Sequence, residues 1–127
     1  MPPQRNTRQR SAIKKAFENV GRPLSPQEVN EIAREYVPSL GIATVYRALN
    51  EMVEEGSLHP VDLPGQSRRY EMSGLHHHHH FHCQKCDKVF DLEGCLLKKE
   101  FDLPPGFTVK QHDITLSGVC PDCNPKF

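Results

Sequence analysis

The chain has 127 residues, with 16 basic and 16 acidic side chains, so its formal net charge is zero. This length allows one ordinary domain or two very small ones, and the cores of two small domains would be marginal. The sequence has no apolar run of about 18 residues, as a membrane span requires, and no apolar segment near its start that would suit a secretory signal. We therefore expect a cytoplasmic protein.

The first helix is predicted over residues 7–20, because its apolar side chains recur at offsets of three and four. Thr7 is the expected cap and Gly21 the expected end. The first 17 residues also carry five basic side chains and no acid: Arg5, Arg8, Arg10, Lys14 and Lys15. This cluster fits a solvated basic tail and equally an arm that contacts phosphates.

A capping box predicts the start of the second helix. In Ser25-Pro26-Gln27-Glu28, serine suits the N-cap, proline suits the first helical position, and glutamate can bond back to the cap backbone. We expect the helix to stop before Pro38, because the residue before a proline disfavours helical backbone.

The third helix is predicted over residues 42–55, ending at Gly56, and its two faces differ in chemistry. The inward face is apolar: Ile42, Val45, Leu49, Met52 and Val53. The opposite face is polar: Thr44, Tyr46, Arg47 and Asn50. Three acids gather at the C-terminal end, where the helix dipole disfavours them: Glu51, Glu54 and Glu55. The first turns remain free of negative charge, so a phosphate backbone could approach them.

Two strands are predicted after the third helix, over residues 57–63 and 67–72, joined by a Pro64-Gly65 turn. Three helices followed by a two-stranded hairpin are the element order of a winged helix-turn-helix domain. The same order also fits a small helical bundle with an incidental hairpin. The pattern by itself therefore leaves DNA binding open.

Two CxxC pairs, Cys83 with Cys86 and Cys120 with Cys123, predict a structural zinc site in the C-terminal half. In a chain without an export signal, paired cysteines indicate metal ligands before disulfides. Four thiolates complete a closed tetrahedral site, and the metal adds folding free energy to a half that lacks a large core. Redox pairs or disulfides are the alternative. The fifth cysteine, Cys95, is expected to be a buried small apolar side chain.

A run of five histidines over residues 76–80, followed by His82, leads directly into the first CxxC pair. Its internal position argues against a purification tag. On an extended strand alternate side chains share a face. One face would then carry His76, His78, His80 and His82, and the other His77 and His79. These imidazoles could serve two metal sites, whereas the alternative is a surface polyhistidine that binds metal loosely.

Together these motifs resemble the ferric uptake regulator family. The resemblance rests on GIATVYRAL at 41–49, the histidine run, CQKCDKVFD at 83–91 and SGVCPDC at 117–123. It implies an α+β protein, with a winged helix-turn-helix DNA-binding domain over residues 1–74 and a small α/β dimerisation domain over residues 75–127. It also implies a homodimeric, metal-dependent transcriptional repressor that binds double-stranded operator DNA, without enzyme activity and without a membrane partner.

The resemblance also implies metal ligands. The four paired cysteines match the family's structural zinc site. The regulatory site, at the hinge between the domains, would take four ligands: Glu71, His78, His80 and Asp91. A further site found in some members would take three histidines: His77, His79 and His112. Its usual acid is replaced here by Lys98, with Glu100 nearby as a substitute.

The resemblance assigns DNA contacts to two parts of the first domain. On the third helix, Tyr46 and Arg47 match positions that reach base edges, and Thr44 lies on the same polar face. In the basic segment, which is the first 17 residues, Arg8 and Arg10 would lie near the phosphates.

The identity of the regulatory metal depends on the number of ligands. Zinc-sensing members often take a ligand from the first wing strand, where His59 falls, although the cysteine that many of them carry after the second wing strand is missing. The loop 21–25 lacks the histidine that many iron and peroxide sensors supply. A smaller set of nitrogen and oxygen ligands favours four-coordinate Zn(II) over six-coordinate Fe(II). We therefore expect a zinc-responsive regulator, with an iron-responsive or peroxide-sensing one as the alternative.

Two functions of other classes are alternatives. A zinc-dependent hydrolase needs an open metal position and a nearby general base, and the sequence has neither an H-x-E nor an H-E-x-x-H motif. A metal buffer protein would use the histidine run but would leave the basic segment and the polar face of the third helix without a role.

Overall fold

The computed structural model describes residues 3–75, 77–94 and 103–125. The chain forms two compact units, Met1–Gly74 and Leu75–Phe127. The first contains three helices and a two-stranded sheet, and the second contains a three-stranded sheet. This combination of helices and sheets confirms the predicted α+β class. Within the described ranges, no helix has both the length and the apolar character needed to cross a bilayer.

The helices of the first unit are α1 (Pro3–Val20), α2 (Pro26–Ala33) and α3 (Ile42–Glu54). Helix α1 begins earlier than predicted, so the assignment of Thr7 as its cap is wrong. Proline suits the first turn of a helix, where its missing N–H is not needed, and this position is held by Pro3. The helix ends as predicted before Gly21, whose φ of 68° favours glycine.

The capping box of α2 is confirmed. Ser25 Oγ accepts a hydrogen bond from the Glu28 N–H at 3.2 Å, and the Ser25 N–H donates to Glu28 Oε1 at 3.1 Å. The helix ends at Ala33, well before Pro38, because the N–H groups of both Tyr36 and Val37 donate to the Ala33 carbonyl and tighten the chain into a turn.

One hydrophobic core joins the three helices and the hairpin. Its buried members come from every element: Ala12, Ile13, Ala16, Phe17, Leu24, Val29, Ala33, Leu40, Val45, Ala48, Leu49, Met52, Leu58 and Tyr70. The predicted inward face of α3 is thus largely confirmed. Its exception is Ile42, which is 40% exposed because it is the first residue of the helix and lies at the edge of the core.

The hairpin consists of β1 (Leu58–Val61) and β2 (Arg69–Met72), which are shorter than the predicted strands. Gly65 has a φ of 71°, as the predicted Pro64-Gly65 turn requires. Two backbone hydrogen bonds of 2.9 Å between Leu24 and Tyr70 attach β2 to the loop before α2. The three helices and this wing form a winged helix-turn-helix domain, as predicted.

The second unit is built on three strands in the order β4-β3-β5: β3 (His78–Cys83), β4 (Val89–Glu93) and β5 (Thr115–Gly118). Strand β3 pairs antiparallel with β4 and parallel with β5. Most of the histidine run is therefore an extended strand, as predicted. In the part of the chain that the structure describes, β5 has a strand neighbour on one side only.

Candidate metal centres and nucleic-acid interface

The two CxxC pairs come together beyond the C-terminal ends of two parallel strands. Cys83 ends β3 and Cys120 follows β5, so the parallel pairing brings both to the same edge of the sheet. The four sulfur atoms lie within 4.8 Å of one another, and none is in a disulfide. Cys86 Sγ and Cys120 Sγ are 3.8 Å apart, which matches the edge of about 3.8 Å in a tetrahedron with Zn–S bonds of ~2.3 Å. The four residues therefore fit a closed zinc site.

The electrostatics of these thiols also favours a bound cation. The backbone N–H groups of Cys86 and Cys120 both lie 3.4 Å from Cys83 Sγ, and these bonds lower the pKa of the Cys83 thiol to about 6. Its sulfur neighbours, Cys120 first, raise the pKa of Cys123 to about 12. One thiolate is thus available at neutral pH while a second is disfavoured beside it. A divalent metal relieves this repulsion.

A histidine–aspartate pair holds the first CxxC turn. The buried His82 places Nε2 2.7 Å from Asp87 Oδ1. Asp87 has a φ of 65°, which is uncommon for a residue other than glycine. The contact with His82 therefore stabilises a backbone conformation that an aspartate does not itself favour. The sequence alone does not indicate this pair, because His82 continues the alternation of the histidine run.

Three of the predicted regulatory ligands meet on one face of the sheet. His80 and Asp91 are register partners, and His78 shares their face of β3. His78 Nε2 lies 3.6 Å and His80 Nε2 3.5 Å from Asp91 Oδ1. Metal–ligand bonds of 2.0–2.2 Å place neighbouring ligands of a tetrahedral ion about 3.4 Å apart. These three side chains, all largely buried, therefore fit a divalent ion with two nitrogen ligands and one oxygen ligand.

The opposite face of β3 gathers the other histidines. The ring centroids of His77, His79 and His112 lie 4.6 to 5.2 Å apart, and their candidate ligand atoms lie within 4.8 Å of one another. The alternation of the two histidine sets is thus confirmed over residues 77–80, whereas His76 lies outside the described residues. The buried His79 accepts a hydrogen bond at Nδ1 from the Ile114 N–H at 3.2 Å, and burial lowers its pKa.

The bond from Ile114 restricts metal binding by His79. A neutral ring that accepts at Nδ1 carries its proton on Nε2, and this Nε2 is buried without a hydrogen-bond partner among the described residues. A metal bound at Nδ1 would displace the Ile114 N–H. A metal bound at Nε2 would require the ring proton to move to Nδ1, where it would face the Ile114 N–H, and two donors cannot bond to each other. The cluster therefore fits a metal less well than the other two.

Two of the remaining predicted ligands belong to the first unit. Glu71 is buried on β2 in the first unit. His59 is its register partner on β1, but the His59 side chain is exposed and belongs to none of the groups of ligand-bearing side chains found among the described residues. Glu100, like Lys98 and Cys95, lies outside the described residues.

The polar face of α3 carries hydrogen-bond donors. Tyr46 is 42% exposed, and Arg47 is exposed with its Nη2 donating to Thr44 Oγ1 at 3.3 Å. Gln27, at the start of α2, donates to Tyr46 Oη at 3.3 Å, so the Tyr46 hydroxyl proton is free to point outward. The first turn of α3 has no acid. Sequence reasoning missed Gln27, because only the fold brings it to Tyr46.

The two arginines predicted to lie near phosphates have different environments. Arg8 is exposed, whereas Arg10 is partly buried. The Arg10 guanidinium donates to both carboxylate oxygens of Glu55, at 3.1 and 2.5 Å. The phosphate contact expected of Arg10 stays a prediction, and a phosphate would have to compete there with a carboxylate of the same domain.

The model of the ferric uptake regulator family matches residues 3–117. The chain belongs to the ferric uptake regulator family. It is 32% identical over 127 residues to the ferric uptake regulation protein of Bacillus subtilis, covering 94% of this chain and 85% of that protein. It is 33% identical over 122 residues to the zinc uptake regulation protein of Mycobacterium tuberculosis, covering 94% of each.

The fold agrees with this membership. The structure of the ferric uptake regulator from Francisella tularensis with iron superposes with a TM-score of 0.65 at 26% identity, covering 90% of this chain and 89% of that one. Ferric uptake regulator proteins are DNA-binding transcriptional regulators rather than enzymes. This membership removes the zinc-dependent hydrolase and the metal buffer as alternatives.

Proposed function

We propose that this protein is a metal-dependent transcriptional repressor that binds operator DNA as a homodimer and controls metal homeostasis. The observation that carries the proposal is the convergence of His78, His80 and Asp91 on one face of the second unit, at spacings that suit a divalent ion. This site is separate from the four-cysteine cluster, whose closed geometry suits a structural zinc. One metal would then stabilise the fold while the other regulates it.

The regulatory ion would take Glu71 as a fourth ligand. Glu71 belongs to the wing of the first unit and the other three ligands to the second unit, so the ion would favour one arrangement of the two units. In a symmetric dimer this arrangement sets the distance between the two α3 helices. Two DNA half-sites about 34–36 Å apart can be bound together only when the two α3 helices are separated by the same distance. Metal and DNA would therefore raise each other's affinity.

We favour Zn(II) over Fe(II) as the regulatory metal. Two imidazoles and two carboxylates suit a four-coordinate ion, and the loop before α2 supplies no further histidine. His59 is left out of the proposed set because its side chain is exposed. The two relatives described above are named for different metals and are about equally identical to this chain. An iron-responsive or peroxide-sensing regulator is the second candidate.

Homodimer formation is supported by the surface of the second unit. Strand β5 is at the edge of the described sheet, where its backbone groups can pair with another strand. Large apolar side chains are exposed on β5 and in the segment before it: Leu103, Phe107, Val109 and Leu116, with Val119 just after the strand. A contiguous exposed apolar patch marks an association surface, and we propose that these side chains form such a patch and that a second copy covers it.

DNA recognition is assigned to α3 and the basic segment. Tyr46 and Arg47, with Thr44 behind them, would reach base edges in the major groove, and Arg8 would contact phosphates. Because its target is chromosomal DNA, the protein would act in the cytoplasm.

The proposal is tested by DNA binding of chelator-treated protein that retains its structural zinc. A duplex is first selected from a random pool by metal-loaded protein. Zn(II), Fe(II), Mn(II) and Ni(II) are then restored singly at buffered free concentrations. We expect Zn(II) to restore binding at the lowest free concentration. Restoration by Fe(II) alone would overturn the choice of metal. DNA affinity that is the same with and without each of the four ions would overturn the regulatory role.

A further inference from the structure

The C-terminal end of α3 carries an excess of negative charge. Glu51, Glu54 and Glu55 are all exposed there, and the last turn has no basic residue. The helix dipole adds partial negative charge at the same end. In a helix proposed to enter a DNA groove, this charge disfavours both the helix end and a nearby phosphate backbone.

One arginine from another helix offsets part of this charge. Arg10 of α1 binds both carboxylate oxygens of Glu55, as described above, and its Nη1 lies 3.6 Å from Glu51 Oε2. The hydrogen bonds raise the pKa of Arg10 and lower the pKa of Glu55, so both groups stay charged. Two-point binding of a carboxylate by a guanidinium also fixes the relative orientation of the two groups.

Arg10 and its neighbour Arg8 therefore differ in role. Residues two apart on a helix do not face the same way, and Arg8 is exposed while Arg10 is partly buried against α3. A DNA phosphate that took the two N–H groups now bound to Glu55 would displace its carboxylate and leave the acidic end of α3 uncompensated. No such exchange is needed at Arg8.

We propose that Arg10 is a positioning residue for DNA recognition: it holds the C-terminal end of α3 against α1 and supplies the positive charge that this end lacks. The proposal rests on the proposed function, in which the N-terminal turns of α3 read base edges. Fixing one end of the helix fixes the direction in which Arg47 points. Arg10 thereby supports discrimination between sequences, whereas a phosphate contact supports affinity for all sequences alike.

The test compares Arg10→Gln, Glu55→Gln and the double variant, with the metal-loaded full chain. Affinities for the selected duplex and for random duplex are measured across a range of salt concentrations, and thermal melts show that each variant is folded. We expect each single variant to lower the ratio of selected to random affinity by roughly two- to fivefold, the effect of an exposed ion pair. The double variant should be no worse than either single one, and the salt slope of Arg10→Gln should be unchanged.

Two controls make the result specific. Arg8→Gln should weaken binding to both duplexes equally and lower the salt slope by about one. Glu54→Gln, which removes an acid that has no ion pair among the described residues, should leave the ratio unchanged. The proposal is overturned if Arg10→Gln behaves like Arg8→Gln, or if Glu55→Gln leaves the ratio unchanged. If instead the unmodified protein does not prefer the selected duplex, the proposed function itself fails.

Discussion

His80 and Asp91 lie directly opposite each other on the antiparallel strands β3 and β4, with His80 Nε2 3.5 Å from Asp91 Oδ1. The same oxygen lies 3.6 Å from His78 Nε2. These distances exceed those of good hydrogen bonds, yet they match the separation of two ligands on one ion. The carboxylate therefore lies where a cation bound by both imidazoles would need its third ligand.

The first prediction concerns these two histidines. His78→Ala/His80→Ala should abolish metal-dependent DNA binding, because two ligands of the regulatory metal are lost. Loss of a residue that only hydrogen-bonds to a ligand already lowers metal affinity roughly 10-fold, so the loss of two ligands should lower it much further. The four-cysteine zinc and the dimer should remain. Metal content by mass spectrometry, dimer content by sedimentation, and DNA binding by anisotropy check the three parts.

The matched control removes two histidines from the other cluster, in which His79 of β3 meets His77 and His112. His77→Ala/His112→Ala should keep metal-dependent DNA binding, since the Ile114 N–H already donates to His79 Nδ1 and disfavours a metal in that cluster. Equal loss in both double variants would mean that the two faces share the regulatory role, contrary to our assignment.

The second prediction concerns the four cysteines. Cys83→Ser or Cys120→Ser should leave a largely unfolded or monomeric second unit, because the metal's binding free energy is part of folding in a unit of this size. Circular dichroism and sedimentation measure the effect. Cys95→Ser, which changes the cysteine outside the CxxC pairs, should fold normally. A Cys83→Ser protein that keeps its dimer and lacks one zinc would show that the site is not structural.

The third prediction separates the two roles of Asp87. Asp87→Ala loses the His82 contact and keeps a left-handed backbone with a Cβ, whereas Asp87→Gly loses the contact but also removes about 1 kcal/mol of backbone strain. Zinc release to a chromophoric chelator should therefore be fastest in Asp87→Ala, intermediate in Asp87→Gly and slowest in the unchanged protein. Equal release from the two variants would rule out a contribution of backbone strain.

The fourth prediction distinguishes base reading from backbone binding. Arg47→Ala should lower discrimination between the selected and random duplexes by about 1–3 kcal/mol, as the loss of a base contact does. Arg8→Ala should weaken both kinds of binding alike and reduce the salt slope. If the two variants behave identically in titrations at several salt concentrations, α3 is not the helix that reads bases.

The sequence allowed the local features of this fold to be predicted, because short-range chemistry determines them. The capping box at Ser25, the two CxxC pairs and the alternation of histidines on β3 each depend on residues within a few positions of one another. The start of α1 was mispredicted, since Thr7 suits a cap but Pro3 begins a helix equally well.

Contacts between distant segments were not predictable in the same way. Arg10 with Glu55 and Gln27 with Tyr46 join side chains from different helices, and nothing in their local sequence selects one partner among many polar residues. His82 with Asp87 is local, but the histidine run obscured it. These pairs support sites whose main residues the sequence alone indicates.

In the function proposed above, metal and operator DNA bind one and the same arrangement of the chain. The most direct test is to measure the affinity of the regulatory zinc with and without saturating selected duplex, and the affinity for that duplex with and without saturating zinc. Thermodynamic linkage requires both ratios to be the same factor, and we expect a factor of about 5–150, the usual range of such coupling. Zinc affinity that is identical with and without the duplex would show that metal and DNA do not share one arrangement of the chain.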